Sequence, residues 1–206
     1  SGLPVTFTLL SGPATISGTT LTLTGSGTVT VKASQGGDGT YAPAPELTRS
    51  FVVAKALPSI TWTVPSTVPV GTELTSAQLN ATAVPSGGTF TYSPAAGTVL
   101  GVAGAQTLAV TYAPAAGDQS NYSSATVQRT LNVVAIPPGI TVQPQSQTVA
   151  APGGTVVFSA TVSGAPAPSL QWYFNGTALA GKTGSSLTLG NIQASAAGNY
   201  WLVATN

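Results

Sequence analysis

No stretch of this chain carries an apolar repeat of helical period over about three turns. What recurs instead is a short alternating run such as Thr28-Val29-Thr30-Val31, Thr107-Leu108-Ala109-Val110 or Ser186-Leu187-Thr188-Leu189. A period of two places successive side chains on opposite faces of a strand. The 24 Gly and 16 Pro among 206 residues punctuate these runs and supply the turns between them. Short strands at such spacing build sandwiches or barrels, so the expected class is all-β, with small sandwiches in series.

Only 4 % of the residues are charged and the formal net charge is +1, against about 25 % charged in an ordinary domain. The chain is nevertheless rich in Val, Ile and Thr, which separates it from disordered polar sequences. No basic cluster exists to meet a phosphate backbone, so no nucleic-acid partner is expected. There is no Cys and no His. That rules out stapling by disulfides, thiolate metal ligation, imidazole acid–base catalysis and any triad built on His or Cys. The carboxylates Asp38, Glu46, Glu73 and Asp118 lie at least eight positions apart. Asp38 and Asp118 sit beside glycines in turns and read as solvated loop residues rather than as a glycosidase pair. No catalytic, cofactor-binding or metal-binding residue is expected, and no apolar run is long enough to span a bilayer.

The punctuation divides the chain into segments 1–56, 57–135 and 136–206. In the first, strands are expected at 5–10, 20–24, 27–33 and 48–53, fewer than the roughly seven of a closed sandwich, so the segment reads as N-terminally incomplete. In the second they are expected at 59–64, 76–83, 89–93, 106–112 and 126–134. The first two segments end alike: a strand, a loop closing on Tyr41 or Tyr122, then a last strand. This modest repeat predicts a tyrosine that anchors a loop across the end of each unit. The third segment opens at Ile136-Pro137-Pro138, where two prolines stiffen the joint.

The third segment carries three informative runs: Gly154-Thr155-Val156-Val157-Phe158-Ser159-Ala160, Leu170-Gln171-Trp172-Tyr173-Phe174-Asn175-Gly176 and Ala197-Gly198-Asn199-Tyr200-Trp201-Leu202-Val203-Ala204. They resemble strands B, C and F of an intermediate-set immunoglobulin domain. The resemblance implies that Trp172 is the buried core indole and Tyr200 the tyrosine of the E–F corner. It also places Ala160 and Leu202 where that family carries its two cysteines, so a small and a large apolar side chain would fill the space of the disulfide. The segment is expected to lack the final strand of the family pattern. Trp201 alternates with Tyr200 and Leu202 and should point away from the core. Trp201, Tyr173 and Trp62 are therefore the candidates for ligand or interface contact.

The first two segments, through Ser11-Gly12-Pro13-Ala14-Thr15-Ile16-Ser17-Gly18, Gln78-Leu79-Asn80-Ala81-Thr82 and Thr91-Tyr92-Ser93-Pro94, resemble tandem immunoglobulin-like repeats of large bacterial surface and secreted proteins. That resemblance implies an extracellular or bacterial cell-surface location, no cofactor and a structural or adhesive role as stalk, spacer or filament subunit. The alternative is a carbohydrate-binding accessory module of a secreted enzyme. Expected partners are neighbouring domains of a longer chain, further copies paired through open sheet edges, and a glycan or cell-surface molecule. Three stretches fit the N-glycosylation acceptor pattern, at Asn80, Asn121 and Asn175.

Overall fold

The computed structural model describes residues 2–206. The first stretch holds β1 (Thr6–Ser11), a hairpin of β2 (Ala14–Ser17) and β3 (Thr20–Leu23), then β4 (Gly27–Gln35) and β5 (Ala44–Val53). β1, β4 and β5 form an antiparallel sheet in the order β1-β4-β5. Its register sets Phe7 opposite Ala33, Ala33 opposite Leu47 and Val29 opposite Phe51, so one face is mainly apolar, with Arg49 opposite Val31 as its one charge. The other face carries Thr30, Lys32, Thr48 and Ser50, and there the Thr30 and Ser50 hydroxyls lie 2.9 Å apart. Val29 is fully buried, while Phe7, Leu47 and Phe51 remain exposed on the apolar face. β2 has no counterpart among the expected strands, because the preceding Ser11-Gly12-Pro13 reads as a turn.

The middle stretch contains β6 (Ser59–Thr61), β7 (Thr67–Pro69), β8 (Thr72–Glu73), β9 (Thr82–Val84), β10 (Thr89–Ser93), β11 (Val99–Leu100), β12 (Gly104–Ala113) and β13 (Ala125–Val134). A four-stranded sheet runs β10-β12-β13-β7, with β7 parallel to β13. β6 pairs with β9 and β8 with β11. Trp62, Leu74, Leu108, Val110, Tyr112, Leu131 and Val133 are buried. The strand expected at 76–83 begins only at Thr82. Before it, the Thr75 N–H donates to Gln78 Oε1 (3.1 Å), and the Gln78 and Leu79 N–H groups donate to Thr75 O (3.1 and 2.9 Å). The Gln78 side chain thus caps the Thr75 N–H while the Thr75 carbonyl closes the turn over Thr75-Ser76-Ala77-Gln78.

The last stretch holds β14 (Ile136–Val142), β15 (Val156–Ser159), β16 (Thr161–Ala165), β17 (Ser169–Phe174), β18 (Thr177–Ala178), β19 (Ser186–Leu189), a 3-10 turn at Ala194–Ala196 and β20 (Tyr200–Thr205). The sheets are β14-β16, β15-β19 and β18-β17-β20. The run expected as one strand over 154–160 breaks at Ala160, whose N–H donates to Ser185 O (2.9 Å). Beyond the break the chain changes partner, from β19 to β14.

Packing groups the chain into two compact units. One comprises Ser1–Thr63, Asn80–Ser93 and Ala109–Gln128; the other comprises Val64–Leu79, Pro94–Leu108 and Arg129–Asn206. Among the described residues no helix is long and apolar enough to cross a membrane.

Candidate functional site

The β17–β20 pair organises the last stretch. Its register sets Trp172 opposite Leu202, Tyr173 opposite Trp201 and Phe174 opposite Tyr200. Alternation then separates two faces. On the inner face Trp172 is fully buried in a cluster with Ala160, Leu187 and Leu202, and Phe158, Val162, Leu170 and Tyr200 pack against it. The indole N–H is satisfied, because Trp172 Nε1 donates to Gly184 O at 2.9 Å.

Tyr200 closes the end of this core. Its ring stacks on Phe174 and Phe158 at centroid distances of 4.6 and 5.2 Å. Its hydroxyl donates to Ala196 O at 2.9 Å, at the end of the 3-10 turn. Burial pushes the Tyr200 phenol above its ordinary 10.0. Because the folded value is raised, the stabilisation is full below that ordinary value and is lost as pH rises through the folded one. Tyr200→Phe should lose about 1 kcal/mol at neutral pH, the worth of the lost hydrogen bond. The gap to the unaltered chain should narrow above about pH 10. Urea midpoints of both proteins between about pH 8 and 11 test this, and a gap that widens with pH refutes it.

On the outer face the Tyr173 and Trp201 rings lie parallel, with centroids 5.6 Å apart and planes within 3°. Trp201 is 39 % exposed, beside an equally open Val203. Trp62, the third candidate, is not on a surface: it is 3 % exposed and meets the edge of Tyr92 at 5.7 Å. Period two accounts for this correction, since Ile60 and Trp62 face inward while Thr61 faces out.

A cavity of about 440 Å³ opens beside Tyr200, walled by Val149, Pro152, Val156, Phe158 and Ile192, with no charged side chain in its lining. Two of the four carboxylates are engaged elsewhere. Glu46 pairs with Lys32 at 2.8 Å. Asp38 Oδ1 accepts the Thr40 and Tyr41 N–H groups, each at 2.8 Å. No group of three or more Asp or Glu side chains gathers among the described residues. The chain holds no His for imidazole acid–base work and no Cys for thiol chemistry.

Residues 137–206 match the family model described as an immunoglobulin domain. No curated protein matches the chain. Among solved structures it is similar to Sidekick-1 immunoglobulin domains 1–5, at 19 % identity and TM-score 0.43, covering 98 % of this chain and 49 % of that one. It is also similar to a variant of titin domains I67–I69, at 14 % identity and TM-score 0.44, covering 98 % of this chain and 83 % of that one. A third is Drosophila OTK, extracellular domains 3–5, at 12 % identity and TM-score 0.36, covering 88 % of this chain and 66 % of that one. This chain spans about half the length of the Sidekick-1 structure. The chain is an all-β protein built of repeated small β-sandwich units and has no disulfide, and the immunoglobulin-domain match covers its last part, 137–206. The expectation of a bacterial repeat protein is corrected, because the solved structures it resembles belong to eukaryotic proteins.

Proposed function

We propose that the chain is a non-catalytic spacer or stalk module of an extracellular protein. It is built of immunoglobulin-like units over 1–56, 57–135 and 136–206. The observation that carries this reading is the lack of slack between units. β13 ends at Val134 and β14 starts at Ile136, so Ala135 alone joins them. β5 ends at Val53 and β6 starts at Ser59. Joints this short leave consecutive units little freedom to drift, unlike flexible linkers, and pass tension from strand to strand. β20 forms an edge of its sheet among the described residues, and pairing of copies along such edges belongs to the same reading.

Single-molecule stretching from the two ends tests it. Discrete rupture events are expected, with a total contour length of roughly 700 Å at full extension. Smooth extension without ruptures would sink the proposal.

The parallel Tyr173–Trp201 pair favours a second reading, a surface that stacks on the apolar face of a sugar ring. A glycan array should then register binding by the unaltered chain that disappears in Trp201→Ala. Equal binding by both proteins, or none by either, excludes it.

A further inference from the structure

We propose that the turn 114–123 is a latch that clamps the exit of the first segment, so that residues 1–56 and the turn move as one body. The inference deepens the spacer reading and rests on it, by making one of its joints rigid.

The latch reaches two separate points of the first segment, all within one compact unit. At the turn before β4, the Ser26 N–H donates to Asn121 Oδ1 at 2.8 Å and the Ser26 hydroxyl donates to Ser120 O. At the joint after β5, the Ala56 N–H donates to Asn121 O (2.9 Å) and the Ser123 N–H donates to Ala56 O (3.0 Å). These make a parallel bridge between Ala56 and Tyr122. The Lys55 ammonium donates to Gln119 O. Asn121 thus holds one point with its side chain and the other with its backbone.

The turn is held in shape by its own bonds. The Asp118 N–H donates to Ala115 O (2.8 Å), and the Asn121 and Tyr122 N–H groups both donate to Asp118 O (2.9 Å). Gln119 Nε2 donates to Pro114 O at 3.0 Å. A preshaped turn loses little further freedom on docking. The receiving surface is fitted to it: a Cβ at Gly25 would stand 2.8 Å from Asn121 Oδ1. The related loop of the first segment, Gly37-Asp38-Gly39-Thr40-Tyr41, shares the Gly-Asp opening and the closing Tyr but lacks the Asn. Its Tyr41 is 50 % exposed, whereas Tyr122 is half-buried. The Asn of one sequon is therefore engaged in the joint.

Trypsin reads the latch directly, because Lys55 lies in the joint while Lys182 reports the last domain. The unaltered chain should resist cleavage after Lys55. Asn121→Ala removes the acceptor, and Gly25→Ala displaces it by contact. Each should speed cleavage after Lys55 about tenfold, as expected for losing one such bond, with the Lys182 rate unchanged. Asn121→Asp keeps an acceptor oxygen and should stay protected. Equal cleavage after Lys55 in the unaltered chain and both alanine variants overturns the latch. If a variant unfolds throughout, Lys182 accelerates too, and hydrogen exchange of the unaltered chain decides. There the Ser26, Ala56 and Ser123 amides should be protected, and free exchange at all three overturns the proposal. Neither overturning result would abolish ruptures under tension, so the spacer reading fails or survives separately.

Discussion

Trp172→Ala should leave the last domain unfolded at room temperature. The indole is fully buried, and truncating a buried Trp costs about 3–5 kcal/mol. It would also strip Gly184 O of its 2.9 Å donor, and an orphaned polar group adds a further cost. A domain of this size holds only about 4–10 kcal/mol at roughly 0.05–0.15 kcal/mol per residue. The chain has no disulfide to limit the unfolded ensemble. The loss therefore approaches the whole stability of residues 136–206. Hydrogen exchange along β15, β17 and β20 would show it, with trypsin cleavage after Lys182 as a second readout. Near-normal protection in those strands would mean that the cluster of Ala160, Leu187 and Leu202 holds without its centre.

How much of this was legible in the sequence depended on how local the signal was. Trp172, Tyr200, Ala160 and Leu202 belong to runs whose resemblance to immunoglobulin strands is written locally, and alternation then sets Trp201 on the outer face. The same rule assigns Trp62 inward. It reads as a surface candidate in the sequence because Tyr92, whose ring meets it, is thirty positions away. The Thr75–Gln78 turn was written locally too, but alternating apolar residues around it imitate a strand. The break at Ala160 was not readable, since it reflects a change of partner from β19 to β14. The Asn121 latch was least visible. Its partners at Ser26 and Ala56 lie 95 and 65 positions away, and its Asn-Tyr-Ser sequence advertises a different chemistry. The stacked Tyr173–Trp201 pair lay between these cases: alternation placed both outside, while the register that brings the rings parallel needed the sheet.

Restoring the missing crosslink gives the second large effect, and its sign depends on redox state. Ala160 and Leu202 are buried in one cluster, Ala160 at the break between β15 and β16 and Leu202 on β20. Ala160→Cys with Leu202→Cys would close a loop of just over forty residues, for which the chain-entropy estimate is about 4 kcal/mol. Against it stands the smaller side chain at 202, where a partly refilled cavity costs about 2 kcal/mol. The oxidised protein should therefore gain about 2 kcal/mol, roughly 10 °C in Tm for a domain of this length. The reduced protein keeps only the cavity and should fall below the unaltered chain by a similar amount. That reversal separates a crosslink from a mere packing change, which would ignore reductant. Calorimetry with and without reductant, beside a free-thiol assay, reads both. Thiols that stay free in the folded protein would show that positions 160 and 202 do not approach within the roughly 4.4–6.8 Å between Cα atoms that a disulfide needs. The two apolar side chains would then be filling a wider gap than the one a disulfide spans.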